Sequence, residues 1–147
     1  MSKERILAAI PHRPPFLFVD RIKTLSEESI LTEKDVAPDE FYFAGHYPQF
    51  PVMPGVLLCE ALFQTAGIFL AEKFRHDPSL KKKIPVLVYI NETKFKRMVF
   101  PGDKIELEAR FTESLRGFFF FKGTVRRNHQ ILLTSEFGLG MTDPVRP

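Results

Sequence analysis

The sequence holds one cysteine, Cys59, and no tryptophan. One thiol closes no internal disulfide and builds no zinc site alone, so nothing calls for an oxidising compartment or a structural metal. The four histidines show neither i,i+4 nor His-x-His spacing, which leaves metal ligation without a scaffold. A phosphate-cradling glycine loop and a dinucleotide fingerprint are both missing. No run of about 18 apolar residues is free of charge, so no membrane span is expected. The opening MSKERILAAI is too charged, and its apolar part too short, for a secretory signal. The cytoplasm is the default location. Net charge is +3, without the basic excess or the interleaved aromatic and basic residues of a nucleic-acid binder.

What is present suits one globular domain over residues 1–147. The chain is 44% apolar and 27% charged, which separates it from disordered sequences. With 16 phenylalanines, much of the core must be Phe. Basic residues cluster at Lys81-Lys82-Lys83, Lys94-Lys96-Arg97 and Arg126-Arg127. Such clusters are either solvated charge beside loops or a dock for an acidic partner.

Patterning predicts a short amphipathic helix over Ser2–Ile10, capped by Ser2 and stopped by Pro11. His12-Arg13-Pro14-Pro15 is rigid and non-helical. Strands are expected at Phe16–Ile22 and Glu28–Val36. Pro48, Pro51 and Pro54 recur every third residue and predict an extended Asp39–Pro54. A helix follows over Gly55–Phe74. From Val56 to Ala71, twelve of sixteen residues are apolar around the whole wheel, so this helix should be buried, not amphipathic.

The remainder is strand-like. Ile84–Ile90 is an apolar run of strand length. Ile105, Leu107, Ala109 and Phe111 alternate with charged residues, the mark of a half-buried antiparallel strand. Gly117–Arg127 and Gln130–Leu139 should form a hairpin turning at Asn128-His129. Pro101-Gly102-Asp103 reads as another turn. A buried helix needs apolar cover on nearly every side, and a curved antiparallel sheet supplies it. The expected class is α+β.

Three residues invite chemistry. Glu60 is a carboxylate inside an apolar helix, with Gln64 one turn on. If buried and unpaired, its pKa should rise, and it becomes a general acid near neutral pH. A structural ion pair or hydrogen bond would account for it equally well. His46 lies in the stiff Gly45-His46-Tyr47-Pro48 segment, and a histidine can serve as an unprotonated base at neutral pH. It can also simply hydrogen-bond a loop. Gly55 opens the helix, where unpaired amides and the helix dipole favour negative charge. Tight packing alone would also explain it. His12, His76 and His129 show no comparable setting. Cys59 lacks an adjacent base and should pack as a small hydrophobe.

These three residues fall in one string, G-H-Y-P-Q-F-P-V-M-P-G-V-L-L-C-E-A-L-F-Q. It resembles the signature of the FabZ-type β-hydroxyacyl-acyl carrier protein dehydratases, a G-H-F-P segment, then P-G-V, then E-A-x-x-Q. The likeness includes I-P-H-R-P-P-F-L-F-V-D-R at Ile10–Arg21. It continues through F-K-R-x-V-x-P-G-D at Phe95–Asp103 and R-G-F-x-x-F-K-G at Arg116–Gly123. Four segments match in order, from about Ile10 to Leu139.

The resemblance implies a hotdog fold, in which a curved antiparallel sheet wraps a long central helix. It implies a homodimer, with larger assemblies such as a trimer of dimers, in which His46 of one chain meets Glu60 of the other. Water would leave a (3R)-hydroxyacyl thioester, with His46 as base and Glu60 as acid. The amide at Gly55 would hold the thioester oxygen, and Gln64 would hold Glu60. No metal or redox cofactor is implied. The partner would be an acidic acyl carrier protein, docking near Lys94, Lys96 and Arg97.

Departures from the family pattern bear on substrate length more than on reaction type. Tyr47 stands where many relatives have Phe, Tyr89-Ile90-Asn91 replaces Gly-Ile-Asp, and Met98 replaces Pro. Alternatives are a hotdog thioesterase, an (R)-specific enoyl-CoA hydratase, or a non-catalytic acyl-binding subunit. The presence of both His46 and Glu60 weighs against the last.

Overall fold

The computed structural model describes residues 2–147. In chain order the elements are α1 (Ser2–Ala9), β1 (Arg21–Leu25), β2 (Ser29–Asp35), α2 (Gly55–Lys73), β3 (Ile84–Phe95), β4 (Lys104–Leu115), β5 (Phe118–Arg127) and β6 (Gln130–Thr142). The strands form one antiparallel sheet in the order β1-β2-β4-β5-β6-β3, wrapped around α2. This is the hotdog arrangement.

The alternation along β4 decides which side of the sheet faces in. Ile105, Leu107 and Ala109 are fully buried, while the intervening charged residues look outward. The β5–β6 hairpin turns at Asn128 and His129, at φ 50° and 69°. Two positive φ values in sequence match the twist of the flanking strands, which is why a short polar pair suffices there. Phe69, Phe121, Phe137 and Phe63 interlock as the centre of the core.

Helix α2 has the length and composition of a membrane-crossing segment, but 67% of it lies buried inside the protein, as in a core helix. It approaches the sheet closely because β5 carries Gly123. A Cβ there would stand 2.5 Å from Leu62 Cδ2. Thr65 and Thr32 share a 2.7 Å hydroxyl hydrogen bond that joins α2 to β2.

Three local expectations need correction. The strand expected at Phe16–Ile22 begins only at Arg21. Gln64 takes over the hydrogen bonding ahead of it. Its Oε1 accepts from the Phe18 amide at 2.8 Å, and its Nε2 donates to Phe16 O at 3.0 Å. Ser2 does not act as a helix cap, since its hydroxyl bonds the backbone of Ile22 on β1.

The segment 39–54 is not uniformly extended. Its first part is a chain of turns, with Phe43 N–H donating to Glu40 O at 3.2 Å and His46 N–H to Tyr42 O at 3.0 Å. Buried Tyr42 and Phe43 pull those turns onto the core, overriding the proline spacing. Lys34, only 3% exposed, pairs with Glu40 at 2.6 Å and ties the same turns to β2.

Candidate active site

His46 is positioned by the turns that lead into α2. Its Nδ1 lies 2.9 Å from Val52 O. A carbonyl only accepts, so Nδ1 carries the hydrogen. In the neutral ring Nε2 then keeps a free lone pair. The neighbouring Tyr47 has φ 53°, a left-handed conformation that costs a non-glycine residue about 1–3 kcal/mol. Phe50 N–H donating to Tyr47 O at 2.8 Å, and the Tyr47 ring 4.3 Å from His46, hold that bend. The result is a fixed imidazole at the edge of a cleft lined by Tyr47, Phe50, Gly55, Leu58 and Phe95.

Gly55 starts α2 in the same cleft. Pro54 precedes it and no side chain caps the helix. Leu57 and Leu58 N–H already donate to Pro54 O at 3.0 Å, whereas the Gly55 and Val56 amides have no intrahelical acceptor and can receive an oxygen carrying developing negative charge. A Cβ on Gly55 would stand 2.8 Å from Phe95 Cε1, so close packing also requires glycine here.

Glu60 does not share this cleft. Leu58 and Glu60 are separated by about 200° around the helix. Glu60 opens instead into a second cleft with His12, Phe63, Gln64, Pro85 and Leu87. Burial raises its carboxyl above the ordinary range, and no Lys or Arg pairs with it among the described residues. A carboxyl in that state keeps its proton further toward neutral pH. Gln64 lines the cleft too, but its amide is committed to Phe16 and Phe18. Between Gln64 and Glu60 no hydrogen bond forms among the described residues. Gln64 instead fastens the segment that carries His12.

His12 was passed over in the sequence, yet its Nε2 stands 3.9 Å from Glu60 Oε1. Nothing in local spacing could reveal that approach. Cys59 is buried, and its thiol is pushed up to about 11, which suits a packing role. Among the described residues no group of three potential ligands could hold a metal.

Lys96 and Arg97 border the His46 cleft, whereas Lys94 lies outside it on β3. All three are exposed and form no ion pair among the described residues. The other basic clusters are partly used up internally. Arg126 pairs with Glu108 at 3.2 Å, Arg127 with Asp103 at 2.6 Å, and Lys83 with Asp143 at 3.5 Å. Tyr89 lines neither cleft and packs edge-on against Phe120, with ring centroids 5.9 Å apart.

A family model described as a FabA-like domain matches residues 10–136. A 3-hydroxyacyl-acyl-carrier-protein dehydratase FabZ from Petrotoga mobilis is 36% identical over 141 residues, covering 96% of this chain and 98% of its own. The protein of the same name from Lactococcus lactis subsp. cremoris is 45% identical over 106 residues, 72% of this chain and 71% of its own. Among solved structures, a chain of the dehydratase heterocomplex ApeI:P from Xenorhabdus doucetiae superposes with a TM-score of 0.79 at 13% identity. That match covers 95% of this chain and 91% of the other, and it speaks to the fold.

Proposed function

Since the chain belongs to the FabA-like family and is a FabZ-type dehydratase, we propose that it converts (3R)-hydroxyacyl-acyl carrier protein to the trans-2-enoyl thioester, with His46 as general base and Glu60 as general acid. The observation that carries the assignment is the hydrogen bond from His46 Nδ1 to Val52 O, which leaves Nε2 as a bare lone pair at the cleft. Nε2 takes the α-proton. The electron pair released forms the α,β double bond as the 3-hydroxyl departs. Glu60 supplies its proton to that hydroxyl, so the leaving group is water. Proton return from His46 to Glu60 through solvent resets the site. The Gly55 amide stabilises the thioester oxygen while charge builds on it. The thioester itself acidifies the α-proton, so no cofactor enters the scheme.

The acid and base come together across two copies of the chain. Support comes from their separate clefts and from the uncovered edge strand β3. There Val86, Leu87, Val88, Tyr89 and Ile90 are 37–49% exposed. A long apolar edge left open invites pairing with another strand. Pairing through β3 would close the Glu60 cleft, whose wall includes Pro85, Val86 and Leu87. Around His46, Tyr47, Phe50, Val56 and Phe95 are more than half exposed and supply apolar surface for the same contact. In each of the two sites, His46 comes from one copy and Glu60 from the other.

Lys96 and Arg97, with Lys94 close by, suit an acidic carrier protein presenting its pantetheine arm to the His46 cleft. The test is enoyl absorbance during incubation with 3-hydroxyacyl carrier proteins of graded chain length. Folded protein that turns over none of them sinks the assignment. Rapid thiol release without enoyl formation would favour the thioesterase alternative.

A further inference from the structure

His12 has no part in the chemistry above, and its environment is costly for a histidine placed only to fill space. Its Nδ1 is buried with no hydrogen-bond partner. An unsatisfied buried polar atom is destabilising, a penalty that a leucine or phenylalanine would avoid. The other nitrogen, Nε2, faces Glu60 Oε1 at 3.9 Å. At that separation the two face each other without a hydrogen bond, and forming one requires an approach of about 1 Å between them.

The segment bearing His12 is fastened on both sides. Arg13 donates to Leu7 O at 2.8 Å and to Ile10 O at 2.9 Å. Gln64 clamps Phe16 and Phe18. Resting on the dehydratase assignment, we propose that His12 is the positioning residue for the acid. Its Nε2–H holds Oε1 of Glu60, directs the acidic proton onto Oε2 toward the leaving hydroxyl, and shares the negative charge left when that proton goes.

The electrostatic surroundings fit this task. The walls from β3 and β6, Pro85, Val86, Leu87 and Leu139, carry no titratable group. On α2 the adjacent titratable group is the buried Cys59 thiol. Arg13 adjoins His12 in sequence, with its guanidinium turned to backbone carbonyls. In the paired copies the partner's imidazole, the residue equivalent to His46, also faces Glu60. Burial, and next the charge of Arg13, hold His12 below the ordinary imidazole range. It therefore stays neutral near pH 7 and donates a hydrogen bond without a full charge that would strip the proton from Glu60.

The experiment is a kcat–pH profile for the full-length wild type, His12→Phe and His12→Gln on a 3-hydroxyacyl carrier protein. Phenylalanine keeps the volume and removes the donor. Glu60 then becomes a weaker acid. The alkaline limb should move to higher pH, and kcat should fall about tenfold or more with KM within about twofold. Glutamine restores an N–H donor and should recover most of kcat and the wild-type limb. Should the phenylalanine variant not fold, His12→Ala is read the same way. An unmoved alkaline limb in the donor-less variant, or no recovery with folded His12→Gln, overturns the role of His12. An inactive wild type would instead overturn the dehydratase assignment, so the two failures are distinct.

Discussion

The two halves of the site are built by opposite means. The His46 half is made of tight turns, a left-handed Tyr47 and a backbone carbonyl that fixes one ring nitrogen. The Glu60 half is made by burial, with a carboxyl on an apolar helix and no lysine or arginine paired with it among the described residues. A base must be reachable and correctly tautomerised, so geometry matters most on its side. An acid that functions near neutral pH must be kept from ionising, so burial matters most on the other. One chain keeps the two apart, in separate clefts of α2.

The most severe way to probe this division is to remove each half in turn. His46→Ala and Glu60→Gln should each lower kcat by about 10²–10⁴ with the fold intact by circular dichroism. Near-normal turnover in Glu60→Gln would end the acid assignment. Mixing the two inactive variants under conditions that exchange subunits then asks whether the halves meet between chains. Half of the dimers become mixed, and each mixed dimer holds one intact site of two, so activity should recover to about a quarter of wild type. No recovery, with exchange shown by mass-tagged subunits, breaks the two-chain site.

The β3 edge offers a third probe. Ile90 is 49% exposed there, outside both clefts. Ile90→Lys places a charge on the apolar edge and should shift sedimentation from dimer or larger toward monomer, with most turnover lost. A monomeric variant at wild-type rate would show that one chain assembles the site alone. A smaller effect is expected from Lys96→Glu with Arg97→Glu. The KM for the carrier-linked substrate should rise about tenfold at low salt and converge with wild type at high salt. A pantetheine-linked mimic should be unaffected.

The fold was legible where one element carries its own pattern. The apolar wheel of α2 and the alternation of β4 need no distant partner to be read, and their bounds hold to within a few residues. The Phe16–Phe18 stretch failed for the opposite reason. Its backbone is satisfied by Gln64, nearly fifty positions away, and no local periodicity encodes a side chain standing in for a strand. His12 was missed likewise, because its significance lies in Glu60, which reaches it only through the fold. Both residues lie within the segments that carry the family resemblance. That resemblance implied that Gln64 holds Glu60, whereas the hydrogen bonds Gln64 makes here go to Phe16 and Phe18, and it singled out no role for His12.

The smallest effect separates stability from activity in the Glu60 half. Burial raises the folded-state pKa of Glu60 above its unfolded value. The protonated carboxyl is the form the folded chain tolerates. Its full favourable contribution is therefore present below the unfolded pKa and is lost as pH rises through the raised folded pKa. Glu60→Gln keeps the shape and cannot ionise. It should melt close to wild type in acid, then a few degrees above wild type at alkaline pH, while remaining inactive throughout. His46→Ala should show no such crossover, because its half owes its form to turns and a carbonyl, not to a suppressed charge. Thermal melts from pH 5 to 9 on these variants read the difference directly. Parallel melting curves for Glu60→Gln and wild type across that range would mean that the carboxyl is not held neutral by burial, and the contrast between the halves would fail.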